Sequence, residues 1–299
     1  MKLRNLGEDR LLNLLLAGLS LGKAVAVGPG DDCALVAIHD RRKLLVLKVD
    51  CVVEGVHFLR GTSASDVGWK AMMRPLSDFA ATSAVPQFAL ITVIVPEQTK
   101  VAWIKQLYRG LRRAARRFDV SIVGGETSST PGEIAISTSV IGFVEKHRAV
   151  SRRGGKPGDD LFVTGRLGGA LRQKHLQFIP RIVESRWLTE NFSIHAMMDL
   201  SDGLGADLPR LARASKVGFK LDTENLPLTG GAKINDAISQ GEDYELLFAI
   251  SPRDRNRLER AWKKRFPRLP LTPIGSLSRL STKDNQLLAR GYVHFQQSG

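Results

Sequence analysis

A chain of 299 residues with 43% hydrophobic and 25% charged residues has the composition of a globular protein, far from that of a disordered or membrane chain, and its length favours two domains over one. Forty-four Lys plus Arg against thirty Asp plus Glu leave a net charge of +14, so anionic partners are expected: nucleotide, nucleic acid or acidic lipid. No apolar run approaches the ~20 residues that span a bilayer, and Cys33 and Cys51 lack zinc-site or disulfide-framework spacing, so both are expected as buried free thiols in a reducing cytoplasm.

In chain order, Lys2 and Arg4 before the apolar run Leu11 to Leu19, with Ala24-Val25-Ala26 after it, imitate a secretory leader. Glu8, Asp9 and Asn13 oppose that reading and fit an amphipathic first helix starting near Gly7. Residues 44 to 52 (LLVLKVDCV) predict a continuous buried strand interrupted by Lys48 and Asp50, an expensive place for a carboxylate. Next come a helix over 65–81, a strand over 87–95 closed by Pro96, and a helix over 101–118 with Arg112, Arg113, Arg116 and Arg117 on its solvated face. A strand over 120–123 runs into Gly124-Gly125-Glu126-Thr127, and 133–144 predicts another. The Gly, Pro and charge cluster from Arg152 to Asp160 marks a boundary between an N-terminal domain, 1–150, and a C-terminal domain, 151–299. Beyond it the spacing predicts strands over 161–164, 194–198, 217–222 and 244–250 and helices over 202–213, 231–239 and 252–265. This mixture of strands and helices is an α/β (α+β) pattern.

The chemistry-bearing feature is a set of acids beside glycine or at strand ends: Asp31 and Asp32 after Gly28-Pro29-Gly30, Asp50, Asp78 after Ser77, and Asp199 and Asp202 flanking Leu200-Ser201. Like charges repel unless a cation bridges them, and oxygen ligands without His or Cys suit magnesium rather than zinc. Magnesium in turn points to phosphate. Structural readings stand beside this one: Asp31 and Asp32 as turn residues, Ser201 or Asp202 as a helix cap, Asp78 paired with an Arg. Asp50 resists such a reading, because an acid in an apolar strand needs a counter-charge, a metal or a proton. No Gly-x-x-x-x-Gly-Lys-Ser/Thr sequence is present, so phosphates would be held by metal and by basic residues such as Arg152, Arg153 and Lys156.

The motifs Gly30-Asp31-Asp32-Cys33-Ala34, Val49-Asp50, Glu54-Gly55-Val56-His57-Phe58, Leu76-Ser77-Asp78, Gly124-Gly125-Glu126-Thr127, Ser151-Arg152, Lys156-Pro157-Gly158-Asp159, Asp199-Leu200-Ser201-Asp202-Gly203, Gly241-Glu242-Asp243-Tyr244-Glu245-Leu246 and Gly291-Tyr292-Val293-His294-Phe295 follow one another over nearly the whole chain. In this order they resemble the thiamine-monophosphate kinase family, which shares a superfamily with aminoimidazole ribonucleotide synthetase and selenophosphate synthetase. The resemblance implies a two-domain aminoimidazole ribonucleotide synthetase-like fold whose N-terminal sheet forms a barrel across a homodimer, with ATP bound between the domains. It also implies magnesium-assisted transfer of the ATP γ-phosphate to thiamine monophosphate. By position, Asp31, Asp32, Asp50, Asp78, Glu126, Asp199 and Asp202 match metal positions, with Asp50, Asp78 and Asp202 closest to catalysis. Gly125, Glu126, Arg152 and Ser201 match nucleotide contacts, and His57, Glu242 and Tyr292 match thiamine contacts. Tyr292 would lay its ring on the cationic thiazolium. The chain departs from the family pattern at Val49, Pro75, Glu126 and Gln240, and in a shortened connection at Ala170 to Gln173. Other readings are another superfamily activity such as aminoimidazole ribonucleotide synthetase, a catalytically impaired nucleotide binder, or a nucleic-acid binder. The last is disfavoured because the basic helices lack interleaved aromatics for base stacking.

Overall fold

The computed structural model describes residues 3–6, 8–169 and 174–280; Tyr292 with its motif and the Ala170 to Gln173 connection lie outside them. A helical turn α1 (Leu3–Leu6) and helix α2 (Glu8–Leu16) lead into a six-stranded sheet. Its strands are β1 (Val25–Val27), β2 (Ala34–Ala37), β3 (Lys43–Val53), β4 (Val85–Val95), β5 (Ser121–Ser129) and β6 (Ala135–Glu145), in the order β1-β2-β3-β6-β4-β5. Neighbours pair antiparallel except β4 and β5, which are parallel. Parallel partners need a crossover connection, here supplied by helix α4 (Val101–Arg117). Helix α3 (Ala64–Ala81) links β3 to β4 and is buried along nearly its whole length.

The second sheet comprises β7 (Asp160–Thr164), β8 (Ile194–Asp199), β9 (Gly218–Leu221), β10 (Leu246–Ile250) and β11 (Leu271–Ser278), antiparallel throughout in the order β8-β10-β7-β11-β9. Helices α5 (Lys174–Gln177), α6 (Ile182–Asn191), α7 (Leu204–Ser215), α8 (Ile234–Ser239) and α9 (Arg255–Arg265) complete the described residues. Strand alternation sends β7 and β10 side chains into two cores. Phe162 and Phe248, stacked with centroids 5.6 Å apart, join the core built around α3, α6 and α9, whereas Leu161, Val163, Leu247 and Ala249 pack with α7 in a second. The first core therefore runs without a break from one sheet to the other.

Three sequence expectations are corrected. The run LLVLKVDCV forms a strand, but not one buried on both faces: Leu47 is 36% and Val49 58% exposed, because helices cover only one side of the first sheet. Cys51, on that open side, is exposed, while Cys33 is buried as expected. Strand β11 has no counterpart among the elements expected from the sequence, and it carries Pro273 and Gly275 in its interior. They sit where the β7 pairing slips register between Leu161 and Phe162, the kind of bulge that tolerates both residues inside a sheet.

Candidate active site

Period-two alternation puts Lys48 and Asp50 on the covered face of β3 and leaves Val49 pointing away. On α3, Lys70, Arg74, Ser77 and Asp78 fall at helical spacings that share one face. Asp199 ends β8, and Asp31 and Asp32 stand on the turn after Gly30. These pieces meet at a cleft of about 750 Å³ lined by Asp31, Lys48, Asp50, Arg74, Asp78 and Arg152 together with Arg153, Ser201, Asp202 and Arg210. Glu8, Leu12 and Leu16 of α2 close one side of it.

Asp78, which lines the cleft, also belongs to a buried trio: carboxylate oxygens of Asp32, Asp78 and Asp199 all lie within 4.8 Å of one another. Opposite ligands of an octahedral magnesium ion with bonds of about 2.1 Å are about 4.2 Å apart, so small adjustments suffice to seat one. Asp32 Oδ2 and Asp199 Oδ1 are buried without a hydrogen-bond partner, a costly state that a cation relieves. The donor set, its size and its orphaned oxygens fit a hard divalent ion. Burial, then the neighbouring Asp32, pushes the Asp199 carboxyl up to about 7 against the opposing hydroxyl bond from Ser77, which donates to Oδ2 at 2.6 Å. Burial also pushes Asp78 well up, with Asp50 and Asp199 adding to it and Lys48 opposing it. Asp31 rises to about 6 through burial and the adjacent Asp32.

The fixed cations around the trio are specific. Lys48 Nζ lies 2.9 Å from Asp78 Oδ1 and 3.8 Å from Asp50 Oδ1, so Asp78 pairs with Lys rather than with Arg. Burial works against the Lys48 charge, yet Asp78 and Asp50 hold its pKa above the ordinary lysine value. The Arg152 guanidinium donates to Asp32 Oδ1 at 2.6 Å, and its backbone N–H to Asp31 at 3.2 Å. Asp31 and Asp32 thus bind across the two halves instead of serving only a turn. Asp202 is outside the trio; its carboxylate pairs with Arg210, which also contacts Asp207 at 3.0 Å. Neither Ser201 nor Asp202 caps α7: the cap is Gly203 at φ +94°, where a Cβ would meet Gln240 O at 2.8 Å.

A second cluster joins His57 and Glu242. Fully buried Lys70 contacts Glu242 Oε1 at 2.6 Å and donates to the His57 carbonyl, while His57 Nδ1 accepts the Val53 N–H at 3.0 Å. Tyr244, stacked on Phe178 at 3.8 Å, points its hydroxyl at the same Glu242 oxygen. Glu242 itself holds φ +68°, sparsely populated for a non-glycine residue and typical of functional turns. Arg74 lies within electrostatic reach of Asp50, Asp78 and Glu242, linking the two clusters.

Glu126 is not brought to the trio. Through the pairs Glu126↔Thr92, Thr92↔Ser137 and Ser137↔Cys51 it shares the open face with Cys51, three strand spacings or roughly 14 Å from β3. Gly125 has a packing reason: a Cβ there would lie 1.8 Å from the Ile91 carbonyl of β4. Lys156 is exposed, its backbone N–H bonded to Asp159. Sequence reasoning missed Lys48, Lys70, Arg74 and Arg210. The signal was present for the first three, as charges inside an apolar strand or on the acid-bearing face of α3.

The sequence matches the family models for AIR synthase related protein, N-terminal domain, over residues 30–144 and C-terminal domain over residues 152–265. It is 34% identical to a thiamine-monophosphate kinase of Rhodopirellula baltica, covering 90% of this chain and 92% of that protein. It is 33% identical to one of Aquifex aeolicus, covering 99% and 100%. A solved AaThiL complexed with AMPPCP and TMP superposes with a TM-score of 0.84 at 33% identity, covering 98% of this chain and 99% of that one.

Proposed function

Because the chain belongs to the thiamine-monophosphate kinase family, we propose that it passes the γ-phosphoryl group of ATP to the phosphate of thiamine monophosphate, giving thiamine diphosphate and ADP. A phosphate oxygen of the acceptor forms the new P–O bond as the bond between the γ-phosphorus and its bridging oxygen breaks. Both reactants are anions, so the protein's work is to cancel repulsion and align them. The observation that carries this reading is the convergence of Asp32, Asp78 and Asp199, two of whose oxygens are buried and unpartnered, where Asp78 meets a cation-lined cleft.

Asp32, Asp78 and Asp199 would hold magnesium, with Asp31, Asp50 and Asp202 at the same cleft as further oxygen donors. Magnesium bound there supplies charge neutralisation at the β- and γ-phosphates. Arg152, already anchored by Asp32, presents its guanidinium to the nucleotide, and Ser201 offers a hydroxyl from the same wall. Glu242 keeps one carboxylate oxygen free of its bonds to Lys70 and Tyr244, suited to the cationic thiazolium beside His57.

The open apolar face of the first sheet, with Leu47, Val49, Phe88, Leu90 and Val123 all more than a third exposed, supports a homodimer that pairs these sheets. Glu126 would then belong to that interface. The ends of the two family matches at 144 and 152 support a domain boundary near residue 150. Among the described residues no helix is long and apolar enough to cross a membrane, and we place the reaction in the cytoplasm with its ATP.

An assay offering ATP, magnesium and a panel of phosphorylated acceptors tests the reading. Thiamine diphosphate should form only from thiamine monophosphate and only with magnesium, and Asp50→Ala should lower turnover about a hundred-fold or more with an unchanged circular dichroism spectrum. Turnover of a different acceptor alone, or full activity in that variant, would refute the assignment.

A further inference from the structure

We propose that Lys48 fills a cation position within the acid cluster with its own ammonium group, so that the site collects one divalent ion fewer than its converging carboxylates would otherwise take. The inference rests on the magnesium-dependent reading above and concerns how the positive charge of that site is divided between protein and metal.

The carboxylates fall into two groups that differ in what satisfies them. Asp32, Asp78 and Asp199 converge within 4.8 Å, and two of their oxygens, Asp32 Oδ2 and Asp199 Oδ1, are buried with nothing bound to them. Between Asp78 and Asp50 the situation is reversed: Lys48 Nζ sits 2.9 Å from one and 3.8 Å from the other. Asp78 stands at the junction and belongs to both groups. Carboxylates whose spacing suits a divalent ion and a lysine ammonium already paired with acids therefore lie side by side.

Lys48 is not a surface lysine that happened to reach an acid. It stands two residues before Asp50 on β3, so the pleat aims both side chains to the same covered face. Its backbone position is fixed by pairing on both sides, Leu47 opposite Ala34 of β2 and Lys48 opposite Val140 of β6. Its side chain is only 22% exposed, and it lines the cleft. An ammonium group neutralises one charge and donates hydrogen bonds, but it has no coordination sphere to share with a phosphate oxygen. Lys48 thus cancels repulsion between Asp50 and Asp78 and leaves ligand exchange to an ion held by the trio.

Mn²⁺ is a countable probe. Bound Mn²⁺ per chain is measured by electron paramagnetic resonance in the presence of AMPPCP for the native protein, Lys48→Met and Lys48→Arg. Lys48→Met should bind one more ion per chain than the native protein, and Lys48→Arg the native number. Without nucleotide, Mn²⁺ should raise the melting temperature of Lys48→Met by more than that of the native protein. Equal ion counts in native and Lys48→Met, or an extra ion in Lys48→Arg, would overturn the proposal while leaving the magnesium reading intact. No Mn²⁺ bound by the native protein would overturn both. A measurement free of any folding defect in the variants is anomalous scattering from native crystals soaked in Mn²⁺ and AMPPCP. A peak at the trio with Lys48 in place supports the assignment, and a peak between Asp50 and Asp78 with Lys48 displaced refutes it.

Discussion

The two sheets use similar apolar strands to different ends. β10 is buried at every position and β7 at all but its first, because cores lie on both sides of the second sheet. β3 and β4 carry comparable runs of Leu, Val and Ile, yet alternate residues stand open at Leu47, Val49, Phe88 and Leu90. A strand enclosed by its own chain and a strand that leaves a face for something else thus look alike in sequence, since hydrophobicity records the need for a cover and not its source.

The largest effect that separates the two is expected in the enclosed sheet. Phe248 is fully buried against Phe162, so Phe248→Ala should destabilise the chain by about 3–5 kcal/mol, read as a lower urea midpoint at an unchanged slope. A loss as small as that of an open-face substitution would erase the distinction between the sheets. Next is the closure of that sheet at its end, where Arg181 grips the nearly buried Glu245 through two bonds of 2.6 Å and Thr164 donates to the same carboxylate at 2.9 Å. Arg181→Met leaves Glu245 with the more distant Lys174, 3.5 Å away, and should cost about 3 kcal/mol by the same measurement.

The seam between the two halves gives a pH test. Burial lowers Lys70 from 10.5 to about 8, with Glu242 opposing the shift. Between those values the unfolded chain binds more protons than the folded one, so stability rises with pH from about 8 to 10.5; the contribution is full above that window and lost as pH falls through 8. The gain should reach at most about 3 kcal/mol. Urea titrations across this range should show the slope in the native protein and a flatter profile in Lys70→Met. Equal slopes would remove Lys70 as its source.

Much of this architecture is legible in the sequence. The helices over α3 and α4 and the strands flanking them announce themselves by period, and Asp50 stood out as an acid inside an apolar run. What stayed hidden depends on contacts between distant segments. Asp32, Asp78 and Asp199 stand among seven candidate metal positions in the sequence, and only folding shows that these three are the ones that converge; Lys70 is an ordinary helical lysine until Glu242 arrives from the other half. Glu126 is a different case: its motif groups it with the metal positions, and within one chain strand order sets it at the far edge of the sheet and on the other face.

The smallest effect on chain stability, and the one that bears most directly on the open face, is expected at Leu90, 41% exposed on β4. Its side chain lies on the open face of the sheet, so Leu90→Ser should change unfolding by no more than about 1 kcal/mol. If two copies cover each other's sheets, however, the substitution removes apolar contact once from each, and losses of about 1.4 kcal/mol correspond to ten-fold in dissociation. Sedimentation equilibrium should then find a dimer in the native protein and a dissociation constant at least about ten-fold higher in the variant. A native chain that sediments as a monomer at micromolar concentration would mean that the apolar face is covered by something other than a second copy.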